Sequence, residues 1–167
     1  MHNYYKGTLH ATSPLIYDGQ RISKHLQFAC CTLNVGDQCV CFAHVDSLNL
    51  AGGLCLVSPF GSFDSTRGGH LILHDLKLAL EVPPGSSVLF PSAIITHENI
   101  PIRDGELRQS ITAFTPGSLF QWVDNGFSSV RSLSRSKDSK QHRRKHLVSS
   151  PTLWRIMVSR FPHISTI

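Results

Sequence analysis

The chain has 167 residues, 41% of them hydrophobic and 16% charged, with a net charge of +5. That suits one soluble globular domain, and the longest apolar stretch, residues 48–60, is too interrupted by Asn49, Gly52, Gly53 and Pro59 to cross a bilayer. The charge is uneven, because residues 128–167 carry nine basic residues against Asp138 alone while residues 1–127 carry seven basic against ten acidic.

Residues 1–25 are polar, with weak periodicity, and read as a lead-in. From residue 26 the pattern changes to short β-like runs divided by Gly, Pro, Asn and Asp. Eight strands are predicted, over residues 26–35, 38–44, 53–60, 70–75, 78–82, 87–90, 94–100 and 107–114. The breaks between them, such as Gly36-Asp37, Pro83-Pro84-Gly85 and Arg103-Asp104-Gly105, hold residues with a backbone reason to turn. Eight short strands with no helix between them predict an all-β double-stranded β-helix, or jelly roll, over residues 26–127. Residues 118–127 add either a further strand or a short helix. Residues 128–150, rich in Ser, Lys, Arg and His, are expected to be disordered, and residues 151–167 to be at most weakly helical. This basic tail reads as a nuclear-import signal, a phosphate-backbone contact, or a solvated end with no specific role.

The first twenty residues lack a basic region followed by an apolar one, so no secretory signal is expected. Five cysteines, at 30, 31, 39, 41 and 55, form no CxxC pair. An odd number without a signal implies reduced thiols in the nucleus or cytoplasm, most simply as small buried hydrophobes on strands.

Side chains two apart on a strand share a face, so His44 and Asp46 point the same way at the end of the second strand. An HxD pair alone is unremarkable in a chain with ten histidines and eleven acidic residues. His97, in the seventh strand, gives it weight by completing a two-His-one-carboxylate set that leaves three coordination positions open. Those positions suit a bidentate 2-oxoacid and O₂, so Fe(II) and 2-oxoglutarate are the expected cofactors. Arg108, at the start of the eighth strand, is the candidate for the distal carboxylate, because a guanidinium pairs bidentately and stays charged. Ser110 shares its face and adds a hydroxyl. The alternative for Arg108 is an exposed arginine paired with Glu106. Asn34 and Asn99 are candidates to hydrogen-bond the cosubstrate or a water, and both residue types also serve as ordinary strand ends. His70 and His74 share a face that lacks a carboxylate, so they read as sheet residues, with His70 a candidate wall of the pocket.

Several strings carry a family resemblance: HVDSLN at 44–49, GSFD at 61–64, the continuous run 68–102, ELRQS at 106–110 and LFQWVDNGF at 119–127. Residues 26–127 resemble fungal, transposon-associated proteins of the 2-oxoglutarate–Fe(II) dioxygenase superfamily, in the branch related to the TET/JBP DNA-base hydroxylases. The resemblance implies a jelly roll with iron on His44, Asp46 and His97, and 2-oxoglutarate on Arg108. It further implies oxidation of a modified nucleobase such as 5-methylcytosine, with DNA as a partner. His74 stands where the resemblance expects Trp, and the region before residue 26 is short by the same comparison. A shortened copy is therefore expected, and a catalytically inactive jelly-roll binding module is the alternative to an enzyme.

Overall fold

The structure, a computed structural model, describes residues 28–129. The expectations for the lead-in, for residues 26–27 of the first strand and for the basic tail beyond residue 129 lie outside the described residues. The fold is mostly β. Its strands are β1 (Cys30–Asn34), β2 (Cys41–His44), β3 (Cys55–Ser62), β4 (Leu71–Leu73), β5 (Leu78–Leu80), β6 (Val88–Phe90), β7 (His97–Asn99) and β8 (Leu107–Phe114). One α-helix, α1 (Gly117–Asp124), follows. The strands form two four-stranded antiparallel sheets, in the orders β1-β8-β3-β6 and β2-β7-β4-β5. No helix among the described residues is long and apolar enough to cross a membrane.

The eighth predicted strand matches β8 in both bounds, and most of the others shorten for physical reasons. The segment 70–75 ends as strand at Leu73, and His74–Leu76 form a 3-10 turn closed by Lys77 in the left-handed region, at φ 53°. Two contacts hold that turn. The Thr96 N–H donates to Asp75 Oδ2 at 2.6 Å, and His74 Nε2 lies 3.1 Å from Glu98 Oε1 on the neighbouring strand. His74 therefore has a carboxylate partner that single-strand alternation did not reveal. The segment 94–100 loses its start because the Ile94 and Ile95 N–H groups both turn back to the Pro91 carbonyl. Of the alternatives for residues 118–127, helix is found, over Gly117–Asp124 and with Phe120 buried.

Proline and glycine sit in β3 where the pairing permits them. The β3–β6 ladder stops at Val57, so Pro59 lies where β3 pairs with β8 alone and its missing N–H breaks no second ladder. At Gly61, with φ 120°, a Cβ would lie 2.3 Å from the Leu107 carbonyl oxygen, so no other residue fits.

The apolar core occupies one end of the space between the sheets. Leu71, Leu73, Leu78, Val82, Phe90 and Ile95 form it, with Val57, Leu76, Leu80 and Val88 packed against them. The other end is different, because the inward face of β8 carries Arg108, Ser110 and Thr112 before Phe114 restores an apolar wall. The cysteine expectation needs correcting in the same region. Only Cys55 is buried, and Cys41 is exposed where β2 borders this open end.

A Leu73→Ala substitution is expected to cost about 3 kcal/mol of unfolding free energy, because it opens a cavity in a packed core. Leu33→Ala, at a side chain 61% exposed, is expected to change stability by less than about 0.5 kcal/mol. Urea denaturation of the two variants checks both.

Candidate metal centre and its buried arginine

β2 and β7 are direct antiparallel neighbours, with His44 opposite His97 and Cys41 opposite Asn99. Between those two pairs β2 spends one residue more than β7, so the ladder bulges. The bulge ends β2 at His44 and turns the chain so that Asp46 meets both histidines. One donor atom from each of His44, Asp46 and His97 lies within 4.8 Å of the other two. His44 Nε2 is 3.6 Å from Asp46 Oδ1, and the two imidazole centroids are 4.4 Å apart.

Both histidines are oriented in the same way. The Nδ1 of His44 lies 2.7 Å from the Phe42 carbonyl, and the Nδ1 of His97 lies 2.8 Å from the Ile95 carbonyl. A carbonyl only accepts, so each Nδ1 carries the proton and each Nε2 keeps its lone pair free. Burial holds the His97 pKa below the ordinary histidine range, and the neighbouring His44 adds to that shift. His97 is therefore neutral near pH 7, with no proton to displace when it ligates. The edge of its ring contact with Phe90 fixes it from the core side, at 4.8 Å between centroids.

Asp46 is held by a short loop whose residues carry no obvious signal in sequence. Asn49 donates from Nδ2 to Asp46 Oδ2 and to Ser92 Oγ, both at 3.3 Å, while the Asp46 N–H donates to the Ser92 carbonyl at 2.9 Å. One carboxylate oxygen is thus occupied and the other faces the histidines. The loop is braced in turn by the segment leading into α1. Gly117 N–H donates to the Leu48 carbonyl and Leu50 N–H to the Thr115 carbonyl. Asn49 was legible in sequence as a strand break and as the end of the HVDSLN string, with no role of its own. Its position three residues after Asp46 is the signal that a side-chain turn contact was available.

Arg108 is 4% exposed on the inner face of β8. The alternative of an exposed arginine paired with Glu106 fails, because Glu106 binds Arg103 at 2.6 Å. No carboxylate pairs with Arg108 among the described residues. Its Nη1 donates to the Cys39 carbonyl at 3.1 Å, its guanidinium stands 5.9 Å from the Phe63 ring centroid, and its buried Nε meets no acceptor. Gly69, at φ 72°, packs against it so closely that a Cβ would come within 3.1 Å of Arg108 Cδ. Burial lowers the Arg108 pKa, but a guanidinium stays protonated at any ordinary pH.

The remaining candidates divide by what their polar atoms already do. Asn34 lies opposite Ser110 and donates from Nδ2 to Ser110 Oγ at 3.0 Å and to Thr112 Oγ1 at 3.2 Å. Ser110 accepts that bond and keeps its own hydroxyl proton to give. Asn99 is buried, with both ends of its amide bound to the backbone around Cys39 and Cys41. His70 does not line the cavity, and its Nδ1 is buried without a partner among the described residues.

One cavity of about 490 Å³ joins these groups. His44, Asp46 and His97 line it together with Arg108, Ser110, Asn34 and Asn99, and Val57, Leu71 and Phe114 supply apolar wall. The donor set of two imidazoles and one carboxylate suits a first-row divalent cation with open positions. The unsatisfied guanidinium in the same cavity suits an anion.

No family model matches the sequence. No curated protein matches it. A solved structure described as NgTET1 in complex with 5mC DNA aligns at 26% identity and a TM-score of 0.40, over 46% of this chain and 27% of that one. The chain thus spans about a quarter of the length of the structure it matches.

Asn49→Ala is expected to weaken Mn(II) binding by about tenfold or more, as loss of a carboxylate-orienting partner does in other metal sites. Titration calorimetry measures it. Arg108→Met is expected to raise the urea stability of the ligand-free protein by about 1 kcal/mol or more, because it removes an unpaired buried charge. A structural arginine would give the opposite sign.

Proposed function

We propose that the chain is an Fe(II)- and 2-oxoglutarate-dependent dioxygenase built on a double-stranded β-helix. One observation carries this: a buried arginine with no carboxylate partner among the described residues shares a cavity with a His-Asp-His cluster whose imidazoles both present a free Nε2. The strand orders β1-β8-β3-β6 and β2-β7-β4-β5 support the jelly-roll assignment, since an eight-strand double Greek key distributes its strands in this way.

The residues fit both cofactors. His44, Asp46 and His97 would hold the iron on one face, and Arg108 with Ser110 would bind the distal carboxylate of 2-oxoglutarate. When bound, iron and 2-oxoglutarate activate O₂ so that one oxygen enters a substrate C–H bond as hydroxyl while the cosubstrate leaves as succinate and CO₂. The protein's share is geometric and electrostatic. Asn49 keeps one Asp46 oxygen turned away, leaving the other for the metal. The two backbone carbonyls keep the imidazoles in the ligating tautomer. Val57, Leu71 and Phe114 limit water beside the reacting positions.

For the substrate we propose a modified nucleobase such as 5-methylcytosine, on the strength of the motif resemblance. The mouth is compatible with an uncharged, partly apolar group. Val45 and Leu48 line it with Ser47, and among the described residues the only Lys or Arg side chain in the cavity is Arg108, committed to the cosubstrate. Phosphate attraction would then come from elsewhere, because residues 28–129 hold four basic residues against nine acidic. The nine basic residues of 128–167 are the available source. A base within duplex DNA would also have to be flipped out to reach the metal.

The full chain with Fe(II), ascorbate and 2-oxoglutarate is expected to release succinate, and Arg108→Met to release none while still binding Mn(II). Mass spectrometry of methylated duplex DNA from the same reaction reports the substrate. Absence of 2-oxoglutarate binding by anaerobic calorimetry with Mn(II) would overturn the assignment. Binding without succinate release would instead identify a non-catalytic module.

A further inference from the structure

Asn99 follows His97 by two residues on β7 and shares its inward face. That placement makes it look like a cosubstrate ligand, yet its amide is taken at both ends. Asn99 Oδ1 accepts from the Cys41 N–H at 2.9 Å, and Asn99 Nδ2 donates to the Cys39 carbonyl at 2.9 Å. The same Cys39 carbonyl accepts from Arg108 Nη1 at 3.1 Å, and the Cys39 N–H donates to the Arg108 carbonyl at 3.2 Å. The Arg108 N–H donates in turn to the Asp37 carbonyl at 3.1 Å.

Residues 37–41 therefore bridge the two sheets. They are tied to β7 through the Asn99 side chain and to β8 through the Arg108 backbone and guanidinium. A carbonyl oxygen has two lone pairs, and at Cys39 Asn99 and Arg108 use both. The bulge of β2 leaves the Cys41 N–H facing the Asn99 side chain, which supplies the acceptor.

We propose that Asn99 is a positioning residue that sets the cosubstrate anchor from the metal-bearing strand. It fixes the Cys39 carbonyl, and that carbonyl fixes one edge of the Arg108 guanidinium relative to His97. This rests on the assignment of Arg108 to 2-oxoglutarate. It also gives Arg108, which has no carboxylate partner among the described residues, a defined geometry before the cosubstrate arrives. An arginine orientated in advance loses less conformational freedom on binding. Asn99 touches neither the metal nor the cosubstrate in this account, so its loss affects one affinity and spares the other.

The test uses the full chain and the near-isosteric Asn99→Leu variant, with Mn(II) and 2-oxoglutarate affinities measured separately by anaerobic calorimetry. The expected result is a loss of about tenfold in 2-oxoglutarate affinity, with Mn(II) affinity within about twofold of wild type. In turnover, KM for 2-oxoglutarate rises while kcat holds. Equal losses of both affinities, or no loss of either, would overturn the proposal. Should the variant fail to fold, hydrogen exchange on the wild type decides. The Cys39 and Cys41 amides are expected to exchange more slowly once Mn(II) and 2-oxoglutarate are added, and unchanged rates there defeat the proposal. If the wild type binds no 2-oxoglutarate, the assignment of Arg108 falls and the positioning role with it. If it binds and Asn99→Leu binds equally well, only the positioning role falls.

Discussion

The Arg108 guanidinium lies between the two sheets against the Cys39 carbonyl, the Phe63 ring and Gly69, with no carboxylate partner among the described residues. Taking such a cation out of water costs several kcal/mol even after the protein relaxes around it. Much of the neighbouring structure is explained by that constraint. Gly69 has no side chain because one would strike the arginine, and Phe63 offers the face of its ring. The Asp37–Cys39 stretch crosses from one sheet to the other at the point where the cation needs a backbone acceptor. The hydroxyls of Ser110 and Thr112, already linked by Asn34, continue the polar strip along the inward face of β8.

The His44, Asp46 and His97 cluster is built by a different physical route. Its histidines are aligned by backbone carbonyls two residues upstream, so their orientation comes from local chain geometry. Asp46 lies beyond the end of β2 and depends on tertiary support. Asn49 and Ser92 hold its carboxylate and backbone, and the entry to α1 holds the loop that carries Asn49. The helix thus contributes to the site without touching it. The core cluster adjoins the cavity, with Leu71 and Val57 common to both and Phe90 against the His97 ring.

The charge is unevenly distributed along the chain. The described residues are acidic on balance, while most of the cationic residues fall after residue 129 in sequence. A polyanionic partner would meet repulsion from the body and attraction from the basic segment, both weakened by salt. Among the described residues the cavity lining holds one Lys or Arg side chain, Arg108, and it is buried.

Short alternating runs punctuated by Gly, Pro and Asp made the eight strands legible, because a period of two and turn chemistry are properties of neighbouring residues. The same alternation placed Arg108 with Ser110 on a common face, whereas Asp46 lies past the end of β2 and comes near His44 through the loop that follows. It went astray where a long-range contact outweighed it. The 3-10 turn after Leu73, which depends on Thr96 and Glu98, is such a place; after Pro116, where strand and helix were both open, a buried Phe120 and the backbone at Leu48 decided for helix. The amide of Asn99 offered itself by sequence as a ligand, and only the fold decided that Cys39 and Cys41 would take both its ends. Residue types and spacing determined which groups were available to a metal and an acid. Tertiary structure alone decided which of those groups were already bound, because hydrogen-bond capacity is exhausted by partners dozens of residues away.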